Sequence, residues 1–115
     1  MTVATAKHAR LSASTLDHAR AAVVSRRDRS QDTSVTHIGV GAFARAHLGV
    51  YMDDLLRRGH RALWRGVSLH GRQLAARLVP QDCYYTVAER EPGSEPALSV
   101  IGSLASVTTG VGCGA

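Results

Sequence analysis

The chain has 115 residues, enough for one small domain with its own core, and its 44% apolar and 20% charged residues are typical of a globular protein. The net charge of +5 comes from arginines scattered among acidic residues, and only 4% of residues are aromatic, so the sequence predicts no nucleic-acid partner. No apolar run approaches the roughly 18 residues of a membrane span, and the N-terminus lacks the apolar segment of a secretory signal. No membrane partner and a cytoplasmic location are therefore expected. Cys83 and Cys113 lack the spacing of metal ligands, which predicts two reduced thiols and no metal site.

The chain is predicted to begin with an N-terminal arm, residues 1–33. Within this arm, serine and threonine precede apolar residues that recur at helical spacing from Leu16 to Val23. This pattern predicts a short amphipathic helix over residues 14–25. The polar residues 26–33 predict a connecting loop.

A strand that turns on two glycines opens the second unit, residues 34–115. Residues 35–40 predict a buried strand, and Gly39 and Gly41, with Ala44 in third place, fit the G-x-G-x-x-G/A pattern. In that pattern the first glycine permits a tight turn, the second lets the backbone approach a pyrophosphate, and the helix N-terminus faces the anion. The glycines could also serve a turn alone, but the strand before them and the helix after them favour dinucleotide binding. The predicted cofactor-binding residues are Gly39, Gly41, Ala42, Phe43, Ala44 and Arg45.

The next element is predicted to be a helix over residues 42–58. Asp53 and Arg57, and likewise Asp54 and Arg58, are four residues apart and are predicted to pair on a solvated face. The predicted buried face consists of Ala44, Leu48, Tyr51, Met52 and Leu55.

The remaining elements predict an α/β fold. Residues 62–69 predict a second strand, parallel to the first, and residues 73–78 a short helix. Residues 84–90 and 98–101 predict an antiparallel hairpin beside the parallel sheet, and no structural signal follows from Gly110 onward. The fold class is therefore Rossmann-like, an incomplete domain with a partial parallel sheet, flanking helices and a β-hairpin. The residues predicted to form its core are Ile38, Val40, Leu48, Met52, Leu55, Val67 and Leu69.

Other aromatic and charged residues near the turn can be explained by structural roles. Phe43 is expected to pack, and His37 and His47 are expected to be structural because neither has an evident nucleophile or metal partner. Arg45 could reach the pyrophosphate or pair with an acidic residue, since arginine suits phosphate and carboxylate equally well.

The sequence departs from the simple NAD pattern after its second strand. An acidic residue that binds the adenosine ribose is expected about 20 residues or more beyond the glycines. The segment from Ser68 to Arg72 instead contains no acid, and the next acid is Asp82. Either Arg72 favours a 2′-phosphate, and hence NADP, or polar groups outside this chain complete the adenosine site.

Five blocks of sequence, in order, are similar to one enzyme family. The blocks are residues 10–16, then 37–43 with 45–47 and 51–56, then 66–69, then 81–82 with 85–86, and finally 100–103. Together they resemble the N-terminal part of the mannitol dehydrogenase family, the long-chain polyol dehydrogenases, which includes the fructuronate and tagaturonate reductases.

The resemblance implies the cofactor-binding part of an NAD-dependent, zinc-independent oxidoreductase. Its substrates would be sugar alcohols or hexuronates and their keto-sugar products, of the mannitol/fructose or mannonate/fructuronate type. In that family a large C-terminal helical domain carries the catalytic lysine, whereas the only lysine here is Lys7, in the arm. The chain is therefore expected to be a fragment without catalytic residues and inactive alone. The length also allows an alternative, a standalone, non-catalytic nucleotide-binding or interaction module.

Overall fold

Two three-stranded sheets organise the chain in the computed structural model, which describes residues 9–26 and 32–110. In the first sheet, strands β2, β3 and β6 lie side by side in that order and are all parallel. Their bounds are Val35–Ile38 for β2, Trp64–Ser68 for β3 and Leu104–Thr109 for β6. The expected α/β fold with a partial parallel sheet is thereby confirmed.

The second sheet contains the predicted hairpin. Strands β4 (Tyr85–Glu89) and β5 (Ala97–Ile101) pair antiparallel, and β1 (Val23–Val24) pairs parallel to β5 on its other side. The arm was predicted to be helical over residues 14–25, and this was wrong. The segment Ala13–His18 is a 3₁₀ helix, and the β-branched pair in β1 adopts a strand because β5 offers it an edge.

Three short helices flank the parallel sheet. Helices α1 (Ala42–Ala46) and α2 (Leu48–Arg57) replace the single helix that the sequence predicts, with an interruption at His47. Helix α3 (Gln73–Leu78) has the predicted bounds, and a 3₁₀ turn, Val79–Gln81, follows it. In the part of the chain that the structure describes, no helix combines the length and apolar character needed to cross a membrane.

The largest hydrophobic core is centred on Trp64, which is fully buried. Of the predicted core residues, Val40 and Met52 are buried in it and Leu48 packs against it. The prediction was wrong for Ile38, Leu55 and Leu69, whose side chains are exposed. A smaller core joins the arm to the hairpin through Leu16, Tyr84 and Val100.

Helix α2 buries a different face from the predicted one. Its buried residues are Gly49, Met52, Asp53 and Leu56, whereas Tyr51 is exposed. The prediction that Asp53 is solvated was therefore wrong. The Asp53 carboxylate is fully buried because it accepts hydrogen bonds from the Gly102 N–H (2.9 Å) and from Nε of Arg57 (3.3 Å). The predicted pairing of Asp54 with Arg58, at 3.1 Å, is confirmed.

Candidate functional site

The two glycines turn the chain sharply between β2 and α1. The Gly39 N–H donates to the carbonyl of Val67 at 2.7 Å and extends the pairing of β2 with β3 by one residue. Gly39 has a φ of +108°, a region in which residues with a Cβ are strained. Gly41 then forms the N-cap of α1. The turn therefore needs its first glycine for conformational reasons that the sequence pattern predicts.

Gly41 has no such internal explanation. Its backbone is extended, with φ −71° and ψ 179°, and a Cβ added there would meet nothing within 4 Å. At Gly66 an added Cβ would collide with the side chain of Val40, and at Gly49 with the hydroxyl of Tyr85. Among the glycines of residues 9–26 and 32–110, Gly41 alone has neither a positive φ nor a neighbour within 4 Å of an added Cβ. The missing side chain leaves open space beside the backbone.

That open space belongs to a cleft of about 470 Å³ at the carboxyl ends of β2 and β3. The carboxyl ends of parallel strands are where open α/β sheets bind their ligands. The cleft is lined by residues 38–41, residues 68–71, Gln73, Leu74 and Arg77. Gly39 and Gly41 thus lie where the sequence predicts a ligand.

The other four predicted cofactor-binding residues form the first turn of α1 and do not line this cleft. The first intrahelical bond runs from the Arg45 N–H to the Gly41 carbonyl at 3.0 Å, so the N–H groups of Ala42, Phe43 and Ala44 precede it. Such groups at the start of a helix are available to an anion. Nε of Arg45 donates to the Val40 carbonyl at 3.2 Å, which holds this side chain against the glycine turn.

The aromatic rings near the turn differ in their roles. Phe43 is 78% exposed, so the expectation that it serves in packing was wrong; its ring lies 4.2 Å from that of His47, measured between centroids. His37 is structural as expected. Its Nδ1–H donates to the Gly39 carbonyl at 2.8 Å, and its ring meets the edge of Trp64.

A tyrosine from the second sheet holds the helix that follows the turn. The Tyr85 hydroxyl donates to the carbonyl of Arg45 at 2.7 Å, a carbonyl that would bond the Gly49 N–H in an unbroken helix. The hydroxyl thus bonds this carbonyl at the point where the helix is interrupted, and it lies so close to Gly49 that a Cβ there would collide with it. Burial, and secondarily the nearby Asp53, raise the pKa of Tyr85 far above its ordinary value. The hydroxyl therefore remains a donor across the physiological range.

A second buried bridge ties the same helix to the parallel sheet. The Ser103 hydroxyl donates to the Gly49 carbonyl at 2.6 Å and accepts from Nε1 of Trp64 at 3.0 Å. The helix after the turn is thus fixed on both sides of its interruption, by Tyr85 and by Ser103. None of these partners is evident from local sequence, because they lie about 40 or more residues away along the chain.

The loop after β3 forms the other wall of the cleft. The Ser68 hydroxyl donates to the Gly71 carbonyl at 3.2 Å, and the Gly110 N–H after β6 donates to the Ser68 carbonyl at 2.7 Å. The first acid beyond this loop, Asp82, accepts from the Ala13 N–H at 3.0 Å and does not line the cleft. No carboxylate is present among the residues that line it.

Sequence reasoning missed several cleft residues. Ile38 and Leu69 were predicted to be core, but they line the cleft and are 67% and 52% exposed. Leu74 and Arg77 lie on α3 and were not singled out. Alternating apolar residues indicate burial without showing whether protein or ligand provides it, so no periodic signal could have distinguished these positions.

The sequence is similar to known polyol dehydrogenases over part of their length. No protein-family model matches the chain. It is 40% identical over 84 residues to a mannitol 2-dehydrogenase of Neosartorya fischeri, an alignment that covers 70% of this chain and 16% of that protein. It is 34% identical over 76 residues to a polyol:NADP oxidoreductase of Gluconobacter oxydans, covering 61% of this chain and 15% of that protein.

The fold agrees with the sequence comparisons. The structure of Pseudomonas fluorescens mannitol 2-dehydrogenase, a ternary complex with NAD and D-mannitol, superposes with a TM-score of 0.75 at 28% identity. The match covers 86% of this chain and 21% of that one. The resemblance to the mannitol dehydrogenases is therefore confirmed in sequence and in fold, and the chain spans only a small part of the proteins it matches.

Proposed function

We propose that this chain, which resembles the mannitol dehydrogenases in sequence and fold, is the N-terminal dinucleotide-binding part of an NAD-dependent oxidoreductase that acts on the CH–OH group of a polyol. The observation that carries the proposal is Gly41, a glycine that the chain's own backbone and packing do not require. A glycine suits such a position when a ligand must approach the backbone closely.

The residues at the turn fit a dinucleotide. The pyrophosphate would lie beside Gly41, within reach of the N–H groups of Ala42, Phe43 and Ala44, because these groups precede the first intrahelical bond. Arg45, held against the turn by the Val40 carbonyl, adds positive charge next to the same groups. The exposed side chains of Ile38 and Leu69 would offer an apolar surface to the adenosine end.

In this function the chain binds and orients, and the bound nicotinamide supplies the hydride chemistry. Tyr85 and Ser103 keep the helix after the turn in place, so that its N–H groups need not reorganise when an anion binds. Tyr85 acts here as a hydrogen-bond donor, because its raised pKa keeps the hydroxyl protonated. Contacts to the polyol and transfer of its proton would come from parts of the protein outside this chain.

Mannitol, with fructose as its product, is the substrate pair that the names of the relatives favour. A hexuronate pair of the mannonate/fructuronate type is the alternative that the sequence resemblance leaves within the same proposal. A cytoplasmic location suits a dinucleotide-dependent enzyme with the two reduced thiols that the sequence predicts.

Calorimetric titration of the full chain with NAD⁺ tests the proposal. We expect saturable one-to-one binding, competition by ADP-ribose, and no competition by nicotinamide alone, since the described cleft would hold the pyrophosphate and adenosine. The variant Ala46→Val, which adds two methyls on the exposed side of α1, should bind as the parent does. Absence of dinucleotide binding by a chain with native circular dichroism would overturn the proposal.

A further inference from the structure

The charge of the cleft differs from that of a site built for an unphosphorylated ribose. Such sites place a carboxylate after the second strand, where it accepts hydrogen bonds from the ribose 2′-hydroxyl and repels a 2′-phosphate. Here residues 68–71 and the facing part of α3 contribute no carboxylate to the cleft. The first acid in the sequence after β3, Asp82, is bound by the Ala13 N–H of the arm. Discrimination against a 2′-phosphate is therefore absent from this wall.

A cation lines the same cleft from α3. Arg77, in the last turn of α3, lines the cleft, whereas Arg72, the sequence-based candidate, does not. The backbone of Arg77 is held by Nη2 of Arg10, which donates to its carbonyl at 2.7 Å. No hydrogen bond or ion pair within the described residues occupies the Arg77 guanidinium, which is exposed at the cleft. A guanidinium in this state can offer two parallel hydrogen bonds to a phosphate.

The loop between these two features is fixed, so the wall is present before a ligand arrives. Gly71, with a φ of +117°, turns the chain from β3 toward α3, and its carbonyl accepts from the Ser68 hydroxyl and from that of Thr109. His70 lies in this loop and faces the same cleft. A ligand whose pyrophosphate lies at Gly41 would direct its adenosine ribose toward this loop, because the loop and the glycine turn end adjacent parallel strands.

We infer that the adenosine end of this cleft accepts a 2′-phosphorylated dinucleotide, with Arg77 as the residue that binds the 2′-phosphate. The chain then binds NADP⁺ at least as tightly as NAD⁺. This inference rests on the proposed function, since it concerns the same cleft, but it assigns a specificity that the family resemblance alone does not imply.

Titrations with paired ligands measure the contribution of the 2′-phosphate to binding. The full chain is titrated with NAD⁺ and NADP⁺, and then with 5′-AMP and adenosine 2′,5′-bisphosphate, which differ only in that group. Inorganic phosphate at equal concentration controls for general attraction of anions by a chain of net charge +5. We expect the 2′-phosphorylated member of each pair to bind as tightly as, or more tightly than, its partner.

Variants assign the effect to one residue. Arg77→Ala should weaken NADP⁺ binding about tenfold and leave NAD⁺ within about twofold, since one charge-assisted pair of hydrogen bonds is lost only with the phosphorylated ligand. Arg77→Lys should restore part of the NADP⁺ affinity. Arg90→Ala, which removes the same charge from an exposed position just after β4, should change neither affinity, and the same holds for Arg72→Ala.

The outcomes separate this inference from the proposed function. Measurably tighter binding of NAD⁺ than of NADP⁺ would overturn the inference and leave the function standing. Loss of NADP⁺ binding in Arg72→Ala, with Arg77→Ala unaffected, would overturn the assignment of Arg77. Failure of the folded chain to bind either dinucleotide would overturn the proposed function and this inference with it.

Discussion

Replacing Gly41 by alanine should leave the fold intact and weaken dinucleotide binding. The backbone at this position, φ −71° and ψ 179°, is extended and open to any residue, and an added Cβ has no neighbour within 4 Å. Alanine restricts the unfolded chain and so stabilises by about 0.4–1 kcal/mol, whereas it is a poorer N-cap than glycine by a similar amount. Because these two contributions oppose each other, we expect the free energy of unfolding to change by less than about 0.5 kcal/mol.

The effect on binding should be larger. A Cβ at Gly41 would project into the space where the backbone meets the pyrophosphate, and the displaced phosphates would lose hydrogen bonds from the N–H groups at the start of α1. Each hydrogen bond to a charged oxygen contributes about 1.5–3 kcal/mol. Loss of one predicts a dissociation constant at least about tenfold higher. The branched side chain in Gly41→Val should raise it further, because it fills more of the same space.

Calorimetric titration with NAD⁺, alongside urea unfolding followed by circular dichroism, measures both effects on one sample. Gly39→Ala provides the contrast. Gly39 has a φ of +108°, so alanine there should destabilise the fold by about 1–2 kcal/mol, a strain that the Gly41 variant lacks. If Gly41→Ala is folded and binds NAD⁺ as tightly as the parent, the glycine turn is not the phosphate site and the reasoning from Gly41 fails.

Four further predictions concern the supports of the turn and the reaction. Tyr85→Phe removes the hydroxyl that donates to the Arg45 carbonyl and should lower the free energy of unfolding by about 1 kcal/mol in urea titrations, and an unchanged value would contradict this. The pKa of Tyr85 is raised in the folded state, so as the pH rises the unfolded chain loses this proton first. The free energy of unfolding should therefore decline above about pH 10, and it should decline less in Tyr85→Phe. Equal declines in the two proteins would show that Tyr85 is not the group responsible. Asp53→Ala leaves the buried N–H of Gly102 without its acceptor and should cost about 2 kcal/mol, to be measured by the same titrations. The chain mixed with NAD⁺ and mannitol should form no NADH, since its only lysine lies in the arm. An increase in NADH absorbance above that of a blank would refute this and favour a complete active site within the chain.

Elements whose signals are local could be predicted from the sequence. The first parallel pair, the glycine turn and the hairpin each combine a strand pattern with turn residues that fix where the strand ends. Helix α3 ends before Pro80, as the restriction on the residues preceding a proline predicts. In these cases the determining residues lie within a few positions of the structure they determine.

Strand β6 was missed because its evidence is mostly tertiary. Its sequence, Leu104–Thr109, contains small and polar residues and does not alternate cleanly, although Val107 and the two threonines after it favour a strand. What makes it a strand is the free edge of β3, with which it pairs over five residues. Only Gly102 and Ser103 link β5 to β6. The Gly102 N–H donates to Asp53 and the Ser103 hydroxyl donates to the Gly49 carbonyl, so both residues are held by long-range hydrogen bonds.

The orientation of the helix after the turn could not be predicted from apolar spacing, because two stripes compete. Tyr51 and Leu55, four residues apart, lie along one side of α2 and are exposed, while Met52 and Leu56, also four residues apart, lie along another side and are buried. The deciding contact comes from Asp53, whose buried carboxylate bonds a backbone N–H 49 residues away. A carboxylate that accepts such hydrogen bonds costs less to bury than one left without a donor. The helix therefore buries a different face from the one that the apolar pattern suggests.

The same distinction between local and external causes separates the two glycines at the site. Gly39 is required by a φ that its own turn imposes, and this requirement would hold whether or not the chain bound anything. Gly41 satisfies no internal requirement, and Ile38 and Leu69 leave apolar side chains exposed beside it in the cleft. An open backbone next to uncovered apolar surface is the complement of a ligand with a charged centre and an apolar end, which a dinucleotide provides. The positions at which the predicted core was wrong on β2 and beyond β3 therefore support the same bound partner that Gly41 indicates.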